Sequence, residues 1–77
     1  MTILGDKIRQ RRQEIGYSQQ AAADKSGFSQ QGWSMIERGH PRGRNPTVVT
    51  LQTIGRILEI SPLELAEAAF EDLKGDE

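Results

Sequence analysis

The 77-residue chain contains no cysteine and only one histidine, His40. Without cysteine there are no disulfide bonds and no thiolate ligands, and one imidazole does not build a zinc site. We therefore predict a domain without metal or other cofactor. A domain of this size has a small core and only modest stability.

Long hydrophobic runs are also missing. No stretch approaches the roughly 18 apolar residues that a membrane span needs, and the first residues lack the charged-then-apolar order of a signal peptide. We therefore expect a cytoplasmic protein with no membrane association. The sequence also has no glycine-rich phosphate loop and no nucleophile elbow, so it does not indicate an enzyme.

The charges are unevenly distributed although the net charge is only -1. Residues 1–46 carry eight Lys/Arg against four Asp/Glu, whereas residues 47–77 carry two against seven. This asymmetry favours a first half that faces nucleic acid and a second half that faces solvent or a partner. Chance scatter of surface charge is the alternative.

Apolar spacing and the positions of Ser, Gly and Pro predict five helices and no strand. The helices are expected at about 2–14, 18–26, 29–37, 47–58 and 62–73, with a loop at 40–46. The fourth has an apolar stripe that includes Val48 and Leu51. The predicted fold is all-α, a compact five-helix bundle with an extended C-terminal helix. We expect one domain at 1–73 and a flexible tail at 74–77.

Two short serine-capped helices meet at Gly27, a layout typical of a helix-turn-helix, whose second helix enters the major groove of DNA. The stretch SQQAAADKSGFSQQGWSMIERG resembles the lambda-repressor-like helix-turn-helix family of Xre and Cro/CI type. The resemblance continues at Asn45-Pro46-Thr47 and Ser61-Pro62-Leu63 and spans about 3–65. It implies a domain that binds operator DNA, usually as a dimer, and regulates transcription.

Within this resemblance the third helix is the reading helix. Gln30 and Gln31 lie at its N-terminal end, where an amide can pair with an adenine edge. Ser34 is one turn further along and can bond a base or a phosphate. The predicted base contacts are therefore Gln30, Gln31 and Ser34. A plain solvated helix face is the alternative for all three.

Phosphate contacts are predicted around this helix, at Gln19, Ser29, Arg38, Arg42 and Arg44. The last two belong to a loop that is longer than the family pattern, so the resemblance gives little guidance there. A flexible solvated loop is the alternative.

The resemblance also implies an Arg12–Glu37 ion pair that holds the first helix to the end of the third. Trp33 and Ile36 match core positions. Ala22 stands where the family more often has Leu, so we expect Trp33 to fill the volume that Ala22 leaves open.

The C-terminal helix carries an apolar stripe of Leu63, Ala66, Ala69, Phe70 and Leu73. Its acidic residues, Glu64, Glu67, Glu71 and Asp72, are expected to face away from that stripe. We expect the core to bury Leu63, whereas Phe70 and Leu73 need another cover. A twofold homodimer is the first choice, and folding back onto the domain's own core is the alternative.

These features favour a sequence-specific transcription regulator that binds a palindrome of double-stranded DNA. A repressor is the preferred prediction. Two other functions stay open. One is an antitoxin-like autorepressor whose C-terminal helix binds a toxin. The other is an adaptor that uses the same bundle without binding DNA.

Overall fold

The computed structural model describes residues 2–39 and 47–75, which form five α-helices and no strand. The all-α, five-helix prediction is therefore confirmed. The last helix ends two residues later than predicted, so Lys74 belongs to it and not to a tail. The predicted phosphate contacts Arg42 and Arg44 lie outside the described residues. The helices are α1 (Ile3–Ile15), α2 (Gln19–Ser26), α3 (Gln30–Arg38), α4 (Val48–Leu58) and α5 (Pro62–Gly75).

The first four helices each begin after a hydroxyl side chain that caps the helix. Each hydroxyl accepts a hydrogen bond from the backbone N–H three residues further along, and the caps are Thr2, Ser18, Ser29 and Thr47. Such a cap satisfies one of the N–H groups that have no partner in the first turn. Gly16 and Gly27 end α1 and α2 in the left-handed conformation, at φ of 97° and 81°. These local signals explain why the predicted boundaries fall close to the observed ones.

The core is formed by one or more apolar side chains from every helix. Trp33 is fully buried at its centre, as predicted, and the ring of Phe28 lies 6.3 Å from it. Ala22 is fully buried as well. The other buried apolar residues are Leu4, Ile8, Ala23, Ile36, Leu51, Ile54, Leu58, Leu65 and Ala68.

Helices α1 and α3 approach each other closely at Gly5. A β-carbon at residue 5 would collide with the backbone carbonyl of Glu37, so only glycine permits this distance between the helices. The contact brings the beginning of α1 against the C-terminal end of α3. The orientation of α3 therefore depends directly on α1.

Two expectations about apolar faces are wrong. Leu63 is 70% exposed, because α5 packs onto the core through Leu65 and Ala68, which lie on a different face of the helix. Val48 is 71% exposed, because α4 turns Leu51, Ile54 and Leu58 inward and leaves its first residues in solvent. In α5 two apolar faces are present, and packing selects the face of Leu65.

Asp72 lies on the side of α5 that faces α1, away from the exposed stripe of Leu63, Phe70 and Leu73. Its two carboxylate oxygens accept hydrogen bonds from the backbone N–H groups of Ile3, at 2.7 Å, and Leu4, at 3.1 Å. These amides begin α1 and have no partner inside the helix. A carboxylate at this position also interacts favourably with the helix dipole. Asp72 thus fastens the end of α5 to the beginning of α1.

Candidate nucleic-acid interface

One side of α3 is locked into the domain and the other is open. Trp33, Ile36 and Glu37 are buried, whereas Gln30 and Gln31 are exposed at the N-terminal end. The Ser29 hydroxyl caps the helix by accepting from the Gly32 N–H at 3.0 Å. Its own O–H can still donate to a ligand. The two glutamine amides therefore project from a helix whose opposite side is held rigidly.

Ser34 and Arg38 lie further along α3. Ser34 is half-buried and Arg38 is exposed. Both line a shallow groove of about 260 Å³, together with side chains of α1 and the first residue of α2. The groove lining comprises Arg9, Arg12, Gln13, Gln19, Ser34, Glu37 and Arg38. The structure thus brings two of the predicted contact residues of α3 onto one surface with Gln19.

Arg12 and Glu37 form the ion pair that the resemblance implies. The Arg12 Nε lies 2.5 Å from Oε2 of Glu37, and its Nη2 lies 3.2 Å from Oε1. This two-point geometry suits a guanidinium and a carboxylate. Arg12 also donates from Nη1 to the backbone carbonyl of Tyr17, at 2.7 Å. Both side chains are at least nine-tenths buried.

Two more donors reach the same carboxylate, and sequence analysis missed both. The indole Nε1 of Trp33 lies 2.5 Å from Oε2 of Glu37, and the amide of Gln19 donates to Oε1 at 3.1 Å. Trp33 and Glu37 are four residues apart on one helix, a spacing that brings side chains together and could have revealed the first contact. Gln19 comes from α2, so only the fold reveals the second.

Gln19 is predicted to contact a phosphate, and its hydrogen bond to Glu37 gives it a structural role as well. One amide hydrogen is used by Glu37, so the side chain braces α3 from within the domain. The residue is half-buried and still lines the groove. A phosphate contact from its remaining polar atoms stays a prediction.

The charge of Glu37 is stabilised although the residue is buried. Burial raises the pKa of this carboxyl, but the hydrogen bonds from its three partners and the positive charge of Arg12 lower it by more. The pKa of Glu37 therefore lies below its ordinary value of 4.5. The network requires an ionised carboxylate, because all three partners donate.

Comparison with known proteins bears directly on this arrangement. The helix-turn-helix family model matches residues 8–65, which include α2, α3 and the Arg12–Glu37 pair. The chain belongs to this family of Xre and Cro/CI type. The C-terminal part of α5, with Phe70 and Leu73, lies beyond the matched residues.

Individual relatives agree with the assignment. An uncharacterised helix-turn-helix-type transcriptional regulator, y4dJ of Sinorhizobium fredii, is 41% identical over 63 residues, which cover 82% of this chain and 78% of that protein. SinR, the master regulator for biofilm formation, was solved in complex with DNA. It is 33% identical with a TM-score of 0.72, and the match covers 82% of this chain and 97% of SinR. The restriction-modification controller protein C.AhdI of Aeromonas hydrophila is 31% identical with a TM-score of 0.73, over 83% of this chain and 92% of that one.

Residues 2–39 and 47–75 contain no group of three His, Asp or Glu side chains placed to hold a metal ion. None of the helices in this part of the chain is long and apolar enough to cross a membrane.

The Arg12–Glu37 pair predicts strong energetic coupling. Replacing either residue by Ala should destabilise the domain by about 3–5 kcal/mol, because an unpaired charge stays buried. The double variant should lose much less than the sum of the two. Urea unfolding of all four proteins measures this, with an osmolyte such as trimethylamine N-oxide to keep the single variants folded.

The exposed Arg11–Glu14 pair, with an N–O distance of 3.3 Å, provides the matched control. Its coupling should stay below about 1 kcal/mol because solvent screens it. Equal coupling in the two cycles would show that burial of the Arg12–Glu37 pair has no energetic consequence.

The lowered pKa of Glu37 predicts a specific loss of stability in acid. Because the folded-state pKa is below the ordinary value of 4.5, the stabilisation is complete above that ordinary value and lost as the pH falls through the folded pKa. The stability gap between wild type and Glu37→Gln should therefore narrow below about pH 4. Urea unfolding at steps from neutral to acidic pH tests this, with Glu67→Gln on the exposed surface of α5 as control. A gap that widened in acid would contradict the sign of the shift.

Proposed function

We propose that this protein is a sequence-specific DNA-binding regulator of transcription that reads the major groove with α3. The observation that carries the proposal is the two-sided character of α3. Its inner side is fixed by the Glu37 network, and its outer N-terminal end presents Gln30 and Gln31 to solvent. A rigid helix with exposed amides at its leading end meets the geometric requirement for base readout.

The glutamine amides supply the chemistry of recognition. An amide donates to N7 of adenine and accepts from its N6 amino group, which no other base pair offers in the same arrangement. Ser34, one turn further along, adds a hydroxyl that can bond either a base edge or a phosphate. We assign base contacts to Gln30 and Gln31, and we propose Ser34 as the third residue that contacts a base.

Backbone contacts orient the reading helix. The exposed guanidinium of Arg38 lies at the C-terminal end of α3, and the Ser29 hydroxyl and Gln19 amide lie at the starts of α3 and α2. Groups at such positions commonly hold phosphates and fix the register of a protein on the duplex. Arg42 and Arg44 are proposed for the same role from the sequence alone.

The outer apolar stripe of α5 supports a homodimer. Phe70 and Leu73 are 60% and 46% exposed and share a helical face with Leu63 and Ala66. In a twofold dimer the stripe of one protomer covers the same stripe of the other, so no second sequence is needed. Two protomers would then bind half-sites about one helical turn apart, and we propose repression of transcription as the result.

Selection of bound duplexes from a random pool tests the reading function. Wild-type protein should recover a palindrome with adenine in each half-site. Gln30→Ala and Gln31→Ala should each cost about 1–3 kcal/mol against the selected site and relax the preference at one position. Affinity is measured by fluorescence anisotropy on the selected duplex and on single-base variants of it.

Gln10→Ala is the matched control for this experiment. Gln10 is an exposed glutamine of α1 that lines a different groove, beside Glu59 and Ser61, so its loss should leave the selected sequence unchanged. Recovery of duplexes without any common sequence by the wild type would refute sequence-specific reading.

The dimer is tested by sedimentation equilibrium at tens of micromolar protein. Phe70→Ser combined with Leu73→Ser should shift the wild-type dimer to a monomer, because apolar burial holds the two copies together. Glu71→Ser, an exposed acidic position of the same helix outside this stripe, should stay dimeric. A wild-type monomer that still binds its operator would eliminate the α5 dimer and leave the stripe to a different protein partner.

A further inference from the structure

The groove between α1 and α3 extends the proposed interface onto a helix that sequence analysis did not connect with DNA. Arg9 and Gln13 form its α1 side, and Ser34 and Arg38 form its α3 side. Arg9, Arg12 and Gln13 are spaced three and four residues apart, so their side chains emerge on one face of α1. That face is turned toward α3, because Arg12 pairs with Glu37 there.

Three arginines line this groove, and only Arg12 is paired with a described carboxylate. The guanidinium of Arg12 is bound by the Glu37 carboxylate and by the Tyr17 carbonyl, so the base of the groove is a neutral ion pair. Arg9 and Arg38 are both exposed, and neither has a described carboxylate within 4.0 Å, as the ion pairs in residues 2–39 and 47–75 show. Two cationic side chains therefore line a concave surface whose one described carboxylate, that of Glu37, is already paired with Arg12.

We propose that this groove holds one phosphate of the DNA backbone between Arg9 and Arg38, with Gln13 as a neutral donor. The inference rests on the proposed function, because Ser34 joins the groove to the reading surface of α3. Guanidinium groups match phosphate oxygens in planar two-point geometry. Since the Arg12–Glu37 pair fixes α1 to α3, a phosphate held here positions the two reading glutamines relative to the duplex. Arg9 thus acts as a positioning residue and reads no base.

The test is a set of anisotropy titrations with the selected duplex and with an unrelated duplex, over about 50 to 200 mM salt. Arg9→Ala should weaken both duplexes by a similar factor, about tenfold, because a phosphate contact carries no sequence information. Arg9→Lys should keep the salt dependence of the wild type, since its charge is preserved. Gln13→Ala should weaken binding without changing the salt dependence. Thermal unfolding of each variant verifies the fold.

The double variant distinguishes one shared phosphate from two separate ones. If Arg9 and Arg38 hold the same phosphate, their joint replacement by Ala lowers the slope of log K against log salt by about one in total. A decrease of about two in this slope would overturn the shared site. Arg56→Ala, an exposed arginine of α4 outside the groove, is the control and should leave the slope unchanged.

The remaining outcomes separate this inference from the function on which it rests. An Arg9→Ala variant that binds like the wild type at every salt concentration overturns the groove and leaves sequence reading intact. Weakening confined to the selected duplex means that Arg9 reads a base, and this also overturns it. Failure of the wild type to bind either duplex at the lowest salt overturns both proposals.

Discussion

A buried negative charge organises the first three helices of this protein. The carboxylate of Glu37 is removed from water, and such a group is stable only if donors replace the lost hydration. Arg12 from α1, Gln19 from α2 and Trp33 from α3 itself supply those donors. One carboxylate therefore joins three helices at a single point, and the relative orientation of those helices follows from the directions of its hydrogen bonds.

This constraint distinguishes the two sides of α3. Packing and charge compensation use the side that carries Trp33, Ile36 and Glu37, so the side with Gln30 and Gln31 does not contribute to the core. Exposed residues on that side can change with little effect on folding, whereas the network cannot. Gly5 adds to the rigidity, because it lets α1 contact the last turn of α3 without an intervening side chain.

Much of the fold could be predicted, because the signals were local. Ser18, Ser29 and Thr47 each directly precede a run of helix-forming residues and cap the helix that follows. Gly27 ends α2 because its backbone adopts the left-handed conformation. The burial of α5 could not be predicted in this way. Its sequence has apolar residues at helical spacing on two faces, and only contact with α1 and α4 decides that the face of Leu65 is buried. At the candidate site the same limit applies to Gln19 and Arg9, whose neighbours belong to another helix.

The hydrogen bonds of Asp72 have a consequence for chain topology. Ile3 and Asp72 are 69 positions apart in sequence, yet the Ile3 nitrogen lies 2.7 Å from Oδ1 of Asp72. The polypeptide between them forms a nearly closed ring. A short linker could join α5 to α1, and the ring could be opened instead between α3 and α4. Such a circular permutant would keep the Glu37 network within one continuous segment, with one of its new termini directly after α3.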